Sequence, residues 1–134
     1  MNGQTINANY QGRLIHNEGT LTIKDSSCAT GTTIGEGKLI NGRWQGTPAV
    51  NLTSSGNAIL NEGTLTINSG IIENCTTIAG SNGAGAGTIY SVSSGNTSGK
   101  WAKFYFYGGV IRNCSALEGG AIFTSGNPKG VSNK

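Results

Sequence analysis

The chain has 134 residues and a formal net charge of +3, with 23 glycines and charged residues at only 11 %. Nine lysines and arginines, scattered and without aligned aromatics, exclude a nucleic-acid-binding stripe, and no run reaches the ~18 apolar residues that would insert a helix in a membrane. Three distant cysteines without a CxxC pair, beside the single histidine His16, give no zinc signature, so neither a metal nor a cofactor is expected.

Gly, Thr, Asn and Ser all disfavour helix. Recurrent short runs of Ile, Leu, Val and Thr argue against disorder. The expectation is therefore one all-β domain over residues 1–134. The opening stretch MNGQTINANYQG lacks the basic-then-apolar pattern of a secretory leader. Met1 followed at once by repeat-like sequence reads as the start of a fragment.

Along the chain, residues 12–23, GRLIHNEGTLTI, align with residues 56–67, GNAILNEGTLTI, so that NEGTLTI occurs twice, 44 positions apart. Between the copies, Gly37-Lys38-Leu39-Ile40 opens another short strand. Ser69-Gly70-Ile71-Ile72-Glu73-Asn74-Cys75 matches Gly108-Gly109-Val110-Ile111-Arg112-Asn113-Cys114, and Gly87-Thr88-Ile89-Tyr90 matches Gly120-Ala121-Ile122-Phe123. The unit reads as three short strands between Gly/Asn/Ser turns, about 20–25 residues long, within the range of solenoid repeats. On that arithmetic the 44-residue offset spans two coils, with residues 37–40 opening the middle one. The fold expected is a right-handed parallel β-helix of about five or six three-strand coils.

In Thr20-Leu21-Thr22-Ile23 and its copy Thr64–Ile67, alternation sends Leu and Ile inward and both threonines outward. Asn17, Asn61, Asn74 and Asn113 fall at corners, where Asn tolerates left-handed bends and can stack between coils. Two segments break the pattern, a Gly-rich stretch at 79–87 and a polar one at 91–103. Both read as insertions emerging at turns.

These residues resemble the right-handed parallel β-helix repeats of adhesin-like bacterial surface proteins, on the match of 12–24, 56–75 and 108–123. Gly119-Gly120-Ala121-Ile122 is similar to the G-G-A-[ILV] motif of the chlamydial polymorphic outer-membrane proteins. Their companion F-x-x-N is missing, because Phe123 is followed by Thr124-Ser125-Gly126. The resemblance implies an elongated β-helix of an extracellular or cell-surface protein, usually one segment of a much longer chain, and the role expected of it is non-catalytic, structural or adhesive. It implies no ligand.

A polysaccharide-active enzyme on this fold would need clustered carboxylates. The chain offers Asp25, Glu18, Glu36, Glu62, Glu73 and Glu118. Glu18 and Glu62 share a repeat position and, two coils apart, would lie roughly 10 Å from each other, as repeated turn residues. His16 has Leu60 as its counterpart and reads as a solvated turn residue. Outward threonines at 20, 22, 64 and 66 read as a soluble strand exterior rather than an ice-binding plane, which would need the rank to continue over several coils. Trp44, Trp101, Tyr105 and Tyr107 are the aromatics expected at the surface, a candidate glycan patch, with Phe104 and Phe106 inward. Cys75 and Cys114 are equivalent in the repeat and are expected as free thiols, since a disulfide requires adjacent coils. Open coil edges raise one more partner, a second copy stacked end to end as a filament.

Overall fold

The computed structural model describes residues 1–32, 34–45, 56–78, 87–92 and 102–125. Among these, all regular structure is β: β1 (Thr5–Asn7), β2 (Ile15–Asn17), β3 (Thr20–Ile23), β4 (Lys38–Ile40), β5 (Arg43–Gln45), β6 (Ile59–Asn61), β7 (Thr64–Ile67), β8 (Ile71–Glu73), β9 (Thr76–Ile78), β10 (Ile89–Val92), β11 (Lys103–Phe106), β12 (Val110–Arg112) and β13 (Ile122–Ser125). Every pairing between them is parallel.

The strands form four sheets: β1-β4-β8-β12, β2-β6-β10-β13, β3-β7-β11 and β5-β9. We call these sheets I to IV. The chain visits them in a fixed cyclic order, II, III, I, IV and back to II, so consecutive strands never pair and strands one circuit apart always do. A bridge between Thr76 and Ser115 continues sheet IV into the next circuit.

This topology corrects the coil arithmetic. The two NEGTLTI copies lie side by side, Thr20 beside Thr64 and Ile23 beside Ile67. Forty-four residues are thus one circuit, not two, and Lys38–Ile40 belongs to sheet I of that same circuit. The circuits β2–β5 and β6–β9 carry four strands each rather than three, and among the described residues the four strands of sheet I mark a little over three circuits rather than five or six. Circuit length varies because Ile15 pairs with Ile59, Ile59 with Ile89 and Ile89 with Ile122, at intervals of 44, 30 and 33 residues. The surplus leaves as loops at the corners, such as the connection between β3 and β4. Longer loops add closure entropy only slowly, so unequal circuits still stack. The expected insertions at 79–87 and 91–103 lie mostly outside the described residues. Ser91 and Val92 are strand, paired with Thr124 and Ser125.

Inside, like stacks on like. Leu21, Leu65 and Phe104 form one rank and Leu39, Ile72 and Ile111 another. Together with Ile23, Ala58, Ile59, Ile67, Cys75 and Ile89 they make the main apolar cluster. The threonines of β3 and β7 face the other way, as the alternation requires. A smaller cluster of Leu60, Tyr90 and Val92 with Phe123 covers the opposite face of sheet II.

Asparagine holds the corners in two distinct ways. Asn41, Asn74 and Asn113, each just past a strand of sheet I, take left-handed backbone at φ 57°, 57° and 52°, which short amide side chains tolerate. Asn17 and Asn61 instead end β2 and β6 with buried side chains. Asn17 Nδ2 donates to Asn61 Oδ1 at 2.7 Å and to the Thr64 carbonyl at 3.0 Å, while Asn61 Nδ2 donates to Ser91 Oγ at 2.9 Å and to the Lys103 carbonyl at 3.0 Å. Each side-chain oxygen also accepts the N–H two residues on, of Gly19 and of Gly63. The Asn of NEGTLTI is therefore an interior polar ladder binding one circuit to the next, and its donors and acceptors are satisfied as burial demands.

Candidate functional site

β11 continues the outward threonine ranks with different chemistry. Lys103 lies beside Thr64 and Tyr105 beside Thr66, while Phe104, beside Leu65, packs on the core; Phe106, expected inward and beside Ile67, is 42 % exposed. The rank Thr22-Thr66 is thus replaced by tyrosine in the next circuit, which leaves no continuous threonine plane. Tyr105 is 43 % and Tyr107 71 % exposed. Their rings lie parallel, 1° apart, with centroids 6.2 Å apart. Two parallel, stacked aromatic rings in water, each with a phenol hydroxyl at its rim, form an amphipathic ledge suited to a ring with one apolar face.

Trp44 sits elsewhere. It is the middle residue of β5 in sheet IV, beside Thr77, and is 8 % exposed. The expected surface position is corrected: in Arg43-Trp44-Gln45 the alternation gives solvent to Gln45 and, in part, to Arg43, and turns the indole inward. With Tyr10, Gln11, Gly12, Arg13, Arg43 and Gln45, Trp44 lines an open groove of about 630 Å³. Arg43 Nη2 donates to Gln45 Oε1 at 3.1 Å and Arg13 Nε to the Gly56 carbonyl at 3.2 Å. Burial pulls the Arg13 guanidinium below its ordinary pKa, with Glu62 opposing. The four aromatics expected as one patch therefore divide. Tyr105 and Tyr107 form the ledge on sheet III, Trp44 backs the groove on sheet IV, and Trp101 lies outside the described residues.

Acidic residues follow the same ladder logic. Because the NEGTLTI copies are adjacent, Glu18 and Glu62 are close rather than roughly 10 Å apart, and His16 is no isolated turn residue but part of β2. Its Nε2 lies 2.6 Å from Glu62 Oε2 and 3.7 Å from Glu18 Oε1. These three donor atoms fall within 4.8 Å of one another. Imidazole with two carboxylates is a set that a borderline divalent cation accepts. The same contact is complete as a hydrogen bond between imidazole and carboxylate.

Asp25 is buried at the corner after β3. It accepts N–H groups of Gly3, Gly37 and Ser27 at 2.9, 2.7 and 3.2 Å, and the Ser27 hydroxyl at 2.7 Å. The Gly3 N–H above all holds its carboxyl well below the usual range, against the effect of burial. Its oxygens are occupied in tying the first circuit together. Glu73 lies between Lys38 Nζ at 2.9 Å and Arg112 Nη2 at 2.7 Å, one cation from each neighbouring circuit. Neither acid joins the cluster at His16, which is the only group of three such donors among the described residues.

The ledge was within reach of sequence reading, since Phe and Tyr alternate through residues 104–107. The groove and the His16 contact were not, because both depend on which circuits are adjacent. No family model, no curated protein and no solved structure matches the chain, so its reading rests on its own residues.

Proposed function

We propose that the chain is a segment of a right-handed parallel β-helix with four-strand circuits, serving as a non-catalytic structural and adhesive part of a bacterial cell-surface or secreted protein. The carrying observation is the in-register stacking of identical heptapeptides, with Asn17 on Asn61 and Leu21 on Leu65. Such a chain spends its sequence on making one circuit fit the next, and its parallel crossovers favour the right-handed sense. Asp25, Glu62 and Glu73 are drawn into contacts that tie the circuits together, which supports the non-catalytic reading. The exposed Tyr105–Tyr107 ledge supports adhesion, with a host or environmental glycan as partner.

The test is a glycan array probed with the wild-type chain and with Tyr105→Ala and Tyr107→Ala. Retention of a glycan by wild type and its loss in both variants is expected. Absence of binding to any glycan would remove adhesion and leave a structural role. A second reading, end-to-end assembly, draws on Ile6 and Ile122, interior-facing residues of the outermost strands that are exposed. Electron microscopy of the purified chain should then show filaments, and uniform single particles would count against it.

A further inference from the structure

Cys75 and Cys114 occupy the corner that follows sheet I in two successive circuits. Ile71 lies beside Val110, Ile72 beside Ile111 and Glu73 beside Arg112. Asn74 and Asn113 then share the same left-handed bend. Beyond the cysteines, Thr76 bridges Ser115, and the Ser115 N–H donates to the Cys75 carbonyl at 2.9 Å. With matched residues on both sides, the two cysteines stand opposite each other on adjacent parallel strands.

Strand neighbours are separated by about 4.8 Å, inside the roughly 4.4–6.8 Å between Cα atoms that a disulfide spans. Both side chains turn inward to the main cluster, Cys75 being 1 % exposed and Cys114 half-buried. The preceding circuit places Gly42 at this corner, its carbonyl accepting the Thr76 N–H at 2.9 Å, so the stack there carries no third sulfur. Cys28 lies apart from this ladder, on the connection between β3 and β4.

We propose that Cys75 and Cys114 form a dithiol–disulfide pair, closed by exchange with a small disulfide such as oxidised glutathione, which staples the third circuit to the second. In the first step the Cys114 thiolate attacks one sulfur of the oxidant, forming a mixed disulfide and releasing one thiolate. In the second, Cys75 gives its proton to solvent and attacks Cys114 Sγ, expelling the other thiolate. The protein loses two thiol hydrogens, and the oxidant is reduced to two thiols. The order follows from access, since Cys114 is the more exposed. It agrees with the electrostatics: the contact between the two sulfurs lowers the Cys114 thiol from its ordinary pKa, and the same contact, with burial, raises that of Cys75. Strand spacing slightly exceeds the usual ~3.5–4.5 Å between Cβ atoms in a disulfide. Closure therefore draws in the half-exposed β12 corner by about half an ångström.

The experiment treats the purified chain with oxidised glutathione, blocks remaining thiols with an alkylating reagent, and maps peptides by mass spectrometry without reduction. A Cys75–Cys114 cross-link with Cys28 alkylated is expected. The melting temperature should rise by roughly 10 °C over the reduced chain, as expected for a bond closing a loop of this length in a domain of this size. Cys28→Ser should leave both results unchanged, and Cys75→Ser should trap glutathione on Cys114. Alkylation of both Cys75 and Cys114 after oxidation, a cross-link through Cys28, or an unchanged melting temperature overturns the proposal. The wild-type map decides the matter even if Cys75→Ser does not fold.

Discussion

Leu21 and Leu65 are the same residue in the same heptapeptide, which makes them a controlled comparison. Leu65 is 0 % exposed, between Leu21 on one side and Phe104 on the other. Leu65→Ala removes three carbons, about 2.4 kcal/mol at ~0.8 kcal/mol each. The backbone ladders on both sides hinder collapse, so a cavity remains and the total should reach about 3–4 kcal/mol. Leu21 is only partly buried and, among the described residues, its strand pairs on one side alone. Its truncation opens to solvent rather than leaving a closed void, and should cost about 1–2 kcal/mol. Urea unfolding of both variants, at unchanged m-value, measures the difference. Equal losses would refute the reasoning, because two leucines sandwiched in separate coils, with a third coil between them, would suffer alike.

The glycines of the same heptapeptide should separate in the same direction. A Cβ at Gly63 would lie 2.1 Å from the Gly19 carbonyl oxygen, whereas one at Gly19 meets nothing within 4 Å. Gly63→Ala is expected to cost about 1–3 kcal/mol by forcing circuits apart, and Gly19→Ala to be neutral or stabilising by up to about 1 kcal/mol; thermal melts of the two decide it. Asn61→Ala strips partners from Asn17, the Gly63 N–H and the Lys103 carbonyl at once. At ~1–3 kcal/mol for each buried group left unpaired, a loss of about 3 kcal/mol should appear in denaturant unfolding, and a loss under 1 kcal/mol would show the ladder to be incidental. Asp25 has a folded pKa below its unfolded value of about 3.9. Its contribution is therefore complete above about pH 5 and fades as pH falls through 4 toward the folded value. Glu73, lowered first by Lys38 and then by Arg112, acts with the same sign. Melting temperatures from pH 7 to pH 2.5 should fall more steeply for wild type than for Asp25→Asn, and parallel curves would rule out the Asp25 assignment.

The residues that sequence alone could read are those whose role is local. Leu21, Ile23 and their copies alternate with threonine, so their inward direction follows from strand geometry. Asn74 and Asn113 sit in bends because a short amide tolerates left-handed backbone. The spacing between circuits is a different kind of information. It depends on how many residues leave at each corner, and intervals of 44, 30 and 33 along sheet II carry no common period to detect. A 44-residue offset counted as two coils separates residues that are neighbours. With the correct neighbour, Glu18 falls beside Glu62, and His16, one strand position from Asn17, reaches the same carboxylate. Trp44 is a different case, since the outward preference of Arg43 and Gln45 on either side implies an inward indole without any knowledge of neighbouring circuits. The cysteines show what adjacency adds. Matching Cys75 to Cys114 by repeat position establishes only that the two are equivalent. A paired ladder on both flanks turns that equivalence into contact, and contact is what makes their chemistry a property of the pair.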